Sequence, residues 1–97
     1  MNYSFHPDAE IEFFEAIDYY EDCDEGLGLE FSREIFATIK RVVHFPLAWP
    51  PLSNRSRRCL CKRFPYGIVY RIADEEIVVY AVMQLNREPG YWKERLK

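Results

Sequence analysis

The chain has 97 residues, of which 48% are hydrophobic and 16% aromatic, and its formal net charge at pH 7 is −3. This length suits one domain, which we expect to span residues 1–97. The hydrophobic content excludes a disordered chain, and the scattered charges exclude a membrane-spanning segment. The first residues contain no basic region followed by an apolar run, so we expect a cytoplasmic protein with no secretory signal and no membrane partner.

Charge is unevenly distributed along the chain. Residues 1–30 contain ten acidic residues and no lysine or arginine (−10), whereas residues 31–97 contain thirteen basic and six acidic residues (+7). The segment from Ser53 to Arg71 holds six of the basic residues and no acidic one. Such a density suits the binding of a polyanion or an acidic protein segment, and it equally suits neutralisation of the acidic first helix within the same molecule.

The first predicted elements are a strand and a helix. Asn2 to Phe5 alternates polar and aromatic residues, which is typical of a short strand. Pro7 suits the first turn of a helix, and an apolar stripe at helical spacing extends this helix from about residue 8 to residue 23. Its acidic side chains are predicted to lie largely on the opposite, solvated side: Asp8, Glu12, Glu15 and Asp22.

A second helix is predicted after a turn that contains Gly26 and Gly28, because glycines permit the left-handed conformations of helix ends. An apolar stripe runs from Leu27 to Val42, and the helix closes with basic residues up to His44 that complement its dipole. The two helices therefore predict an antiparallel hairpin.

A proline-rich segment, residues 45–52, follows the hairpin. Its prolines remove backbone donors, so we interpret it as a rigid crossing loop that Trp49 and Leu52 pin to the core. Three strands are predicted beyond it, at Arg57–Phe64, at Gly67–Ile72, and from Glu76 to Met83 or Gln84. They indicate an antiparallel meander with one face against the helices.

The three cysteines, Cys23, Cys59 and Cys61, are an odd number without C-x-x-C spacing, and both histidines lie far from them in sequence. We interpret them as reduced packing residues, and we predict no metal site and no cofactor.

The C-terminal segment begins with a turn at Pro89 and Gly90, after which Tyr91 to Leu96 suit a short helical turn. We expect Trp92 and Leu96 to cover the open end of the sheet. Three basic side chains are predicted to point outward: Lys93, Arg95 and Lys97.

Tyr91 has two predicted environments. Its hydroxyl is costly to bury without a partner, so it either finds one near Arg87 or faces a site beside Arg63 and Arg71.

Four segments in this order of elements resemble the RelE/ParE superfamily of type II toxins, on the plasmid-stabilisation or ParE-like side. They are HPDAEIEFFEAIDYYE (residues 6–21), GLGLEF (26–31), RRCLCKRFPYGIVYRI (57–72) and REPGYWKERL (87–96). The resemblance covers nearly the whole chain. It implies an α+β fold of order β-α-α-β-β-β, with a helical hairpin packed on a mainly antiparallel sheet and a short C-terminal helical turn.

The resemblance also implies a toxin that a cognate antitoxin protein neutralises. RelE-like members cleave mRNA on the ribosome without a metal, whereas ParE-like members poison DNA gyrase. For a nuclease, four residues lie at plausible places to stabilise charge or transfer a proton: Arg63, Arg71, Arg87 and Tyr91. Relatives often carry histidine and arginine where this chain has Gln84 and Asn86, and neither amide exchanges a proton near pH 7.

The missing acid or base and a pI near 5.4 favour a ParE-like toxin that binds a protein target, DNA gyrase above all, with no catalytic residue assigned. The alternatives are a RelE-like ribosome-dependent mRNA endoribonuclease and a degenerate, non-toxic relative that still binds antitoxin. The residues predicted to contact the target or the antitoxin are Arg57, Arg58, Lys62, Arg63, Arg71, Arg87 and Tyr91.

Overall fold

The computed structural model describes residues 1–96 and contains two helices on a five-stranded sheet. The helices are α1 (Pro7–Cys23) and α2 (Leu27–His44), and a 3₁₀ turn covers Lys93–Leu96. The strands are β1 (Asn2–Phe5), β2 (Pro51–Ser53), β3 (Ser56–Leu60), β4 (Tyr66–Ala73) and β5 (Glu76–Gln84). Within residues 1–96, no helix is long and apolar enough to cross a membrane.

The sheet has the strand order β1-β5-β4-β3-β2. β1 runs parallel to β5, and the remaining neighbours are antiparallel. The long helical hairpin between β1 and the other strands allows the parallel pairing, because such a pairing needs a long crossover. The predicted α+β class, with a helical hairpin on a mainly antiparallel sheet, is confirmed.

Close packing of the helical hairpin depends on its glycines. Gly26 adopts a left-handed φ of 87° where the chain turns into α2. Gly28 is buried against α1, and a Cβ there would lie 2.8 Å from the carbonyl oxygen of Ile17. The carboxylate of Glu21 accepts hydrogen bonds from the backbone N–H groups of both glycines, which fixes the turn.

Three predictions about the proline-rich segment and the strand that follows it are wrong in detail. The proline-rich loop contains the edge strand β2, where Pro51 is tolerated because an edge strand needs hydrogen bonds on one side only. Trp49 packs against the core as predicted, but Leu52 is exposed and does not pin the loop. β3 ends at Leu60 and not at Phe64, because the chain then turns toward β4.

The main core lies between the helices and the sheet. Its largest fully buried side chains include Tyr70, Phe31, Ile35, Ile39 and Ile68. Cys59 is buried in this core and Cys61 packs at its border, so both are packing residues as predicted. Cys23 is exposed at the end of α1, and the packing role predicted for it is wrong.

A smaller core covers the opposite face of the sheet, which we call the outer face. Trp92 and Leu96 from the C-terminal segment are buried there against Val69, Ala81 and Met83. The prediction that these two residues cover the sheet is confirmed, although they lie over its face and not at its open end. The C-terminal segment is therefore held as a third layer.

Candidate functional site

A groove on the outer face collects basic side chains over an apolar floor. We call it the outer groove. It encloses about 230 Å³, and its lining includes Arg58, Arg87 and Lys93 beside Met83 and Trp92. The three cations come from β3, from the loop after β5 and from the C-terminal turn, so the fold brings together residues far apart in sequence.

Glycines shape the outer groove. A Cβ on Gly67 would lie 3.3 Å from Cγ and Cδ of Arg58, so the missing side chain leaves room for the arginine stem. Gly90 has a φ of 78°, and a Cβ there would lie 3.0 Å from Cε of Lys93. Both positions let a basic side chain cross the backbone closely, and Gly90 in addition needs a left-handed conformation.

Glu12 of α1 anchors the C-terminal segment. Its Oε1 accepts hydrogen bonds from the backbone N–H of Val82 at 3.1 Å and from Nη1 of Arg95 at 2.8 Å, and its Oε2 accepts one from Nη2 of Arg95 at 3.2 Å. The side chains of Glu12 and Arg95 are only 13% and 14% exposed. The predictions that Glu12 faces solvent and that Arg95 points outward are therefore wrong, whereas Lys93 is exposed as predicted; Lys97 lies outside the described residues.

Tyr91 lies between two arginines of this cluster. The guanidinium carbon of Arg87 is 3.9 Å from the centre of its ring, and that of Arg95 is 5.1 Å away. The tyrosine ring thus lies beside Arg87, under its guanidinium group, but the predicted hydrogen-bond partner for the hydroxyl is not found there. Its hydroxyl is buried without a hydrogen bond of good geometry. Burial and then the nearby carboxylate of Glu12 raise the pKa of Tyr91 far above its ordinary value, so the phenol keeps its proton.

Three of the seven predicted contact residues, Arg58, Arg87 and Tyr91, belong to the outer groove or lie against it. Arg57 and Arg71 instead line a separate cavity at the beginning of β3.

Lys62 and Arg63 lie beside α2. The backbone N–H of Lys62 donates to Oε2 of Glu34 at 2.6 Å, and Nη2 of Arg63 is 3.4 Å from Oε1 of Glu30. The seven residues predicted to form one contact surface therefore lie in three separate regions: the outer groove, the cavity at the beginning of β3, and the side of α2.

The basic segment and the acidic first helix do not neutralise each other. Among residues 1–96, the carboxylates of α1 pair with Arg87 in the loop after β5 and with Arg95 of the C-terminal segment. The basic stretch forms an ion pair with an acid of residues 1–30 only at the exposed pair Arg63–Glu30. The bases between Ser53 and Arg71 are thus largely available to a partner.

Proton-transfer groups that titrate near neutral pH are absent from the outer groove within residues 1–96. The Gln84 side chain accepts a hydrogen bond from the backbone N–H of Asn86 at 2.6 Å, which closes the turn after β5. His6 caps α1 and His44 lies at the end of α2, both outside the groove. Burial raises the pKa of the Cys61 thiol to about 11, so it is protonated at neutral pH.

Metal ligands do not converge in the part of the chain that the structure describes. No group of three or more histidine, cysteine, aspartate or glutamate side chains there is arranged to hold a metal ion.

Three residues of this region escaped the sequence analysis: Glu12, Lys93 and Arg95. Both Lys93 and Arg95 were predicted to point outward, because a short helical turn gives no long apolar pattern; this holds for Lys93 and is wrong for Arg95. Glu12 and Arg95 are separated by 83 positions, and only the tertiary fold pairs them. The sequence offered one hint, the opposite charges of the acidic first helix and the basic C-terminus. Opposite charge alone does not show which acidic residue pairs with which basic residue.

The architecture defines a class of small α+β protein in which a helical hairpin covers one face of the sheet and the C-terminal segment covers the other. A solved structure described as the chromosomal ParDE TA system from P. aeruginosa has this fold, with a TM-score of 0.75 over 89% of this chain and 97% of that chain, at 16% identity.

The sequence comparisons identify the family. The model of the ParE toxin of type II toxin–antitoxin systems, parDE, matches residues 3–89. Toxin ParE2 of Mycobacterium tuberculosis, in strains CDC 1551 / Oshkosh and H37Rv, is 32% identical over 86 residues, which cover 88% of this chain and 82% of the relative. This chain belongs to the ParE toxin family of type II toxin–antitoxin systems.

Proposed function

We propose that this chain is a cytoplasmic ParE-like toxin that binds DNA gyrase through the outer groove and is neutralised by a cognate antitoxin. The observation that carries the proposal is a groove rich in basic side chains and apolar surface but poor in groups that can transfer protons. This combination suits recognition of a protein surface and does not suit acid–base chemistry.

Metal-free RNA cleavage needs a group that removes a proton from the attacking hydroxyl and a group that protonates the leaving oxygen. Arg58, Arg87 and Lys93 can stabilise negative charge, but within residues 1–96 the lining of the groove includes no histidine or carboxylate that could transfer a proton. Tyr91 keeps its proton and lies behind Arg87 with its hydroxyl buried. The groove therefore offers binding energy without a working acid–base pair.

The composition of the outer groove resembles that of a protein interface. Arginine is enriched at such interfaces, where arginine anchors beside apolar surface contribute much of the binding free energy. Here Arg58 and Arg87 line the groove beside the exposed side chains of Leu52 and Leu85, whereas Trp92 and Met83 are buried among its lining residues. Membership of the ParE family supports gyrase as the target and an antitoxin as the neutralising partner.

Pulse labelling of bacterial cells tests the proposal. Thymidine and leucine incorporation are followed in the first minutes after the chain is expressed without antitoxin, and purified gyrase is assayed for supercoiling in parallel. We expect an early fall in thymidine incorporation alone and loss of supercoiling. An early fall in leucine incorporation would instead support the mRNA endoribonuclease, and no change in either would support a non-toxic relative.

Matched variants connect the effect to the groove. Arg58→Ala removes a cation from the outer groove, whereas Arg33→Ala removes the same charge from an exposed position on α2. We expect Arg58→Ala to raise the concentration for half-inhibition of supercoiling by about tenfold, as for loss of one charge-assisted contact. Equal inhibition by the two variants would contradict the assignment of gyrase binding to this groove.

A further inference from the structure

A second basic cavity, which we call the edge pocket, lies where β3 begins. It has a volume of about 350 Å³, and its lining includes three arginines, Arg55, Arg57 and Arg71, the serines of the β2–β3 turn and no acidic residue. Its lining residues are all different from those of the outer groove. It is therefore a separate site.

The three arginines differ in how firmly they are held. Nη1 of Arg57 donates hydrogen bonds to the carbonyl oxygens of Trp49 at 2.7 Å and Leu47 at 3.4 Å, which fixes its guanidinium in the wall. Arg55 and Arg71 form no ion pair with any residue between 1 and 96. Two arginines are thus available to an anionic ligand beside a third that is already positioned.

The edge pocket adjoins an unpaired stretch of the sheet. The β3–β4 register reaches only as far as Arg57 opposite Tyr70, while the β4–β5 register continues to Ala73 opposite Glu76. Residues 71–73 therefore have a strand neighbour on the β5 side only. An extended peptide can pair with such an open edge while its side chains enter adjoining pockets.

The lining of the edge pocket favours a peptide over a nucleic acid. Proteins that bind single-stranded nucleic acid combine basic grooves with aromatic rings on which bases stack. The aromatic ring among the lining residues belongs to Tyr70, which is fully buried and donates its hydroxyl to the carbonyl oxygen of Pro46 at 2.6 Å. No stacking platform faces this cavity within the described chain.

We propose that the edge pocket binds the carboxylate side chains of an extended acidic peptide segment that lies along residues 71–73. Arg55 and Arg71 bind the carboxylates. Arg57, which is held by the carbonyl oxygens of Leu47 and Trp49, supplies a third positive charge in the wall of the pocket. The inference deepens the proposed function and rests on it, because the cognate antitoxin is the protein that would supply the acidic segment. Neutralisation and target binding then use different surfaces of the toxin.

The test is a titration of the isotope-labelled full chain by nuclear magnetic resonance. The probe is the peptide Thr-Glu-Thr-Glu-Thr-Glu-Thr, and its matched control carries glutamine in place of each glutamate. We expect the amide signals of residues 55–57 and 71–73 to shift with the glutamate peptide and not with the glutamine peptide. A ten-nucleotide oligothymidylate distinguishes phosphate from carboxylate as the source of negative charge.

Variants of the pocket complete the test. Arg71→Ala and Arg55→Ala should each raise the Kd of the glutamate peptide by about tenfold, Arg71→Lys should recover part of the loss, and Arg33→Ala should leave the Kd unchanged. Three results would overturn the proposal: no shifts at these amides up to millimolar peptide, shifts confined to the outer groove, or tighter binding of the oligothymidylate. Because the titration contains no gyrase, such a failure leaves the gyrase proposal standing, and a failed supercoiling assay leaves the peptide site standing.

Discussion

Replacement of Glu12 by glutamine should destabilise the domain by about 2 kcal/mol. The substitution leaves Arg95, which is 14% exposed, without its bidentate carboxylate, and Asp8 at 3.8 Å is too exposed to replace it. Breaking a fully buried ion pair costs about 3–5 kcal/mol, and we expect less here because glutamine still accepts hydrogen bonds from Val82 and Arg95. In a domain of this size the melting temperature should fall by about 10 °C.

Urea denaturation followed by tryptophan fluorescence measures this loss. The midpoint should fall while the slope of free energy against urea stays constant, since the surface exposed on unfolding is unchanged. Glu15→Gln is the matched control, because Glu15 is an exposed acid on the same helix. A loss no larger than that of the control would refute an anchoring role for Glu12.

A double-mutant cycle tests the same pair without the unpaired charge. Arg95→Met keeps an unbranched apolar stem but removes the guanidinium. The combined Glu12→Gln and Arg95→Met variant should lose less stability than the sum of the two single variants, because neither partner is left as a buried charge. Strict additivity would show that the two side chains stabilise the domain independently.

Trp92→Ala should cost about 3–5 kcal/mol of unfolding free energy in urea denaturation, because it opens a cavity in the outer-face core, and a loss under 1 kcal/mol would contradict this packing. Tyr91→Phe should leave both stability and supercoiling inhibition nearly unchanged, since the hydroxyl makes no good hydrogen bond, and lost inhibition would show that the hydroxyl acts. A thiol reagent at neutral pH should modify the exposed Cys23 quickly and the buried Cys59 only on unfolding, and equally fast reaction of both would contradict the burial of Cys59. The raised pKa of Cys61 means that the folded state keeps a proton that the unfolded state loses, so stability should fall as pH rises from about 9 through about 11. In denaturation at increasing pH, Cys61→Ala should reduce that fall, and an unchanged pH dependence would contradict burial as its cause.

Short-range features of the sequence were enough to predict the helices and the long strands. Pro7 and Gly26 lie at the predicted helix boundaries. Proline is favoured in the first turn of a helix, and glycine is favoured where the backbone takes a left-handed conformation. β2 escaped because a three-residue edge strand in a proline-rich segment has no periodic pattern. The end of β3 escaped because residues 61–64 have strand-like composition while the turn toward β4 depends on tertiary packing.

The candidate sites show why overall charge is a weak guide to a binding surface. The acidic pI predicted poor affinity for a ribosome, yet the fold places most acids of the first thirty residues on exposed helix faces and presents Arg58, Arg87 and Lys93 together in the outer groove. A polyanion at that groove meets these three cations directly, while exposed charges beyond about 8 Å are largely screened at physiological salt. The proposal of a protein target therefore rests on the missing acid–base pair around Gln84 and Tyr91, and the net charge of −3 does not decide it.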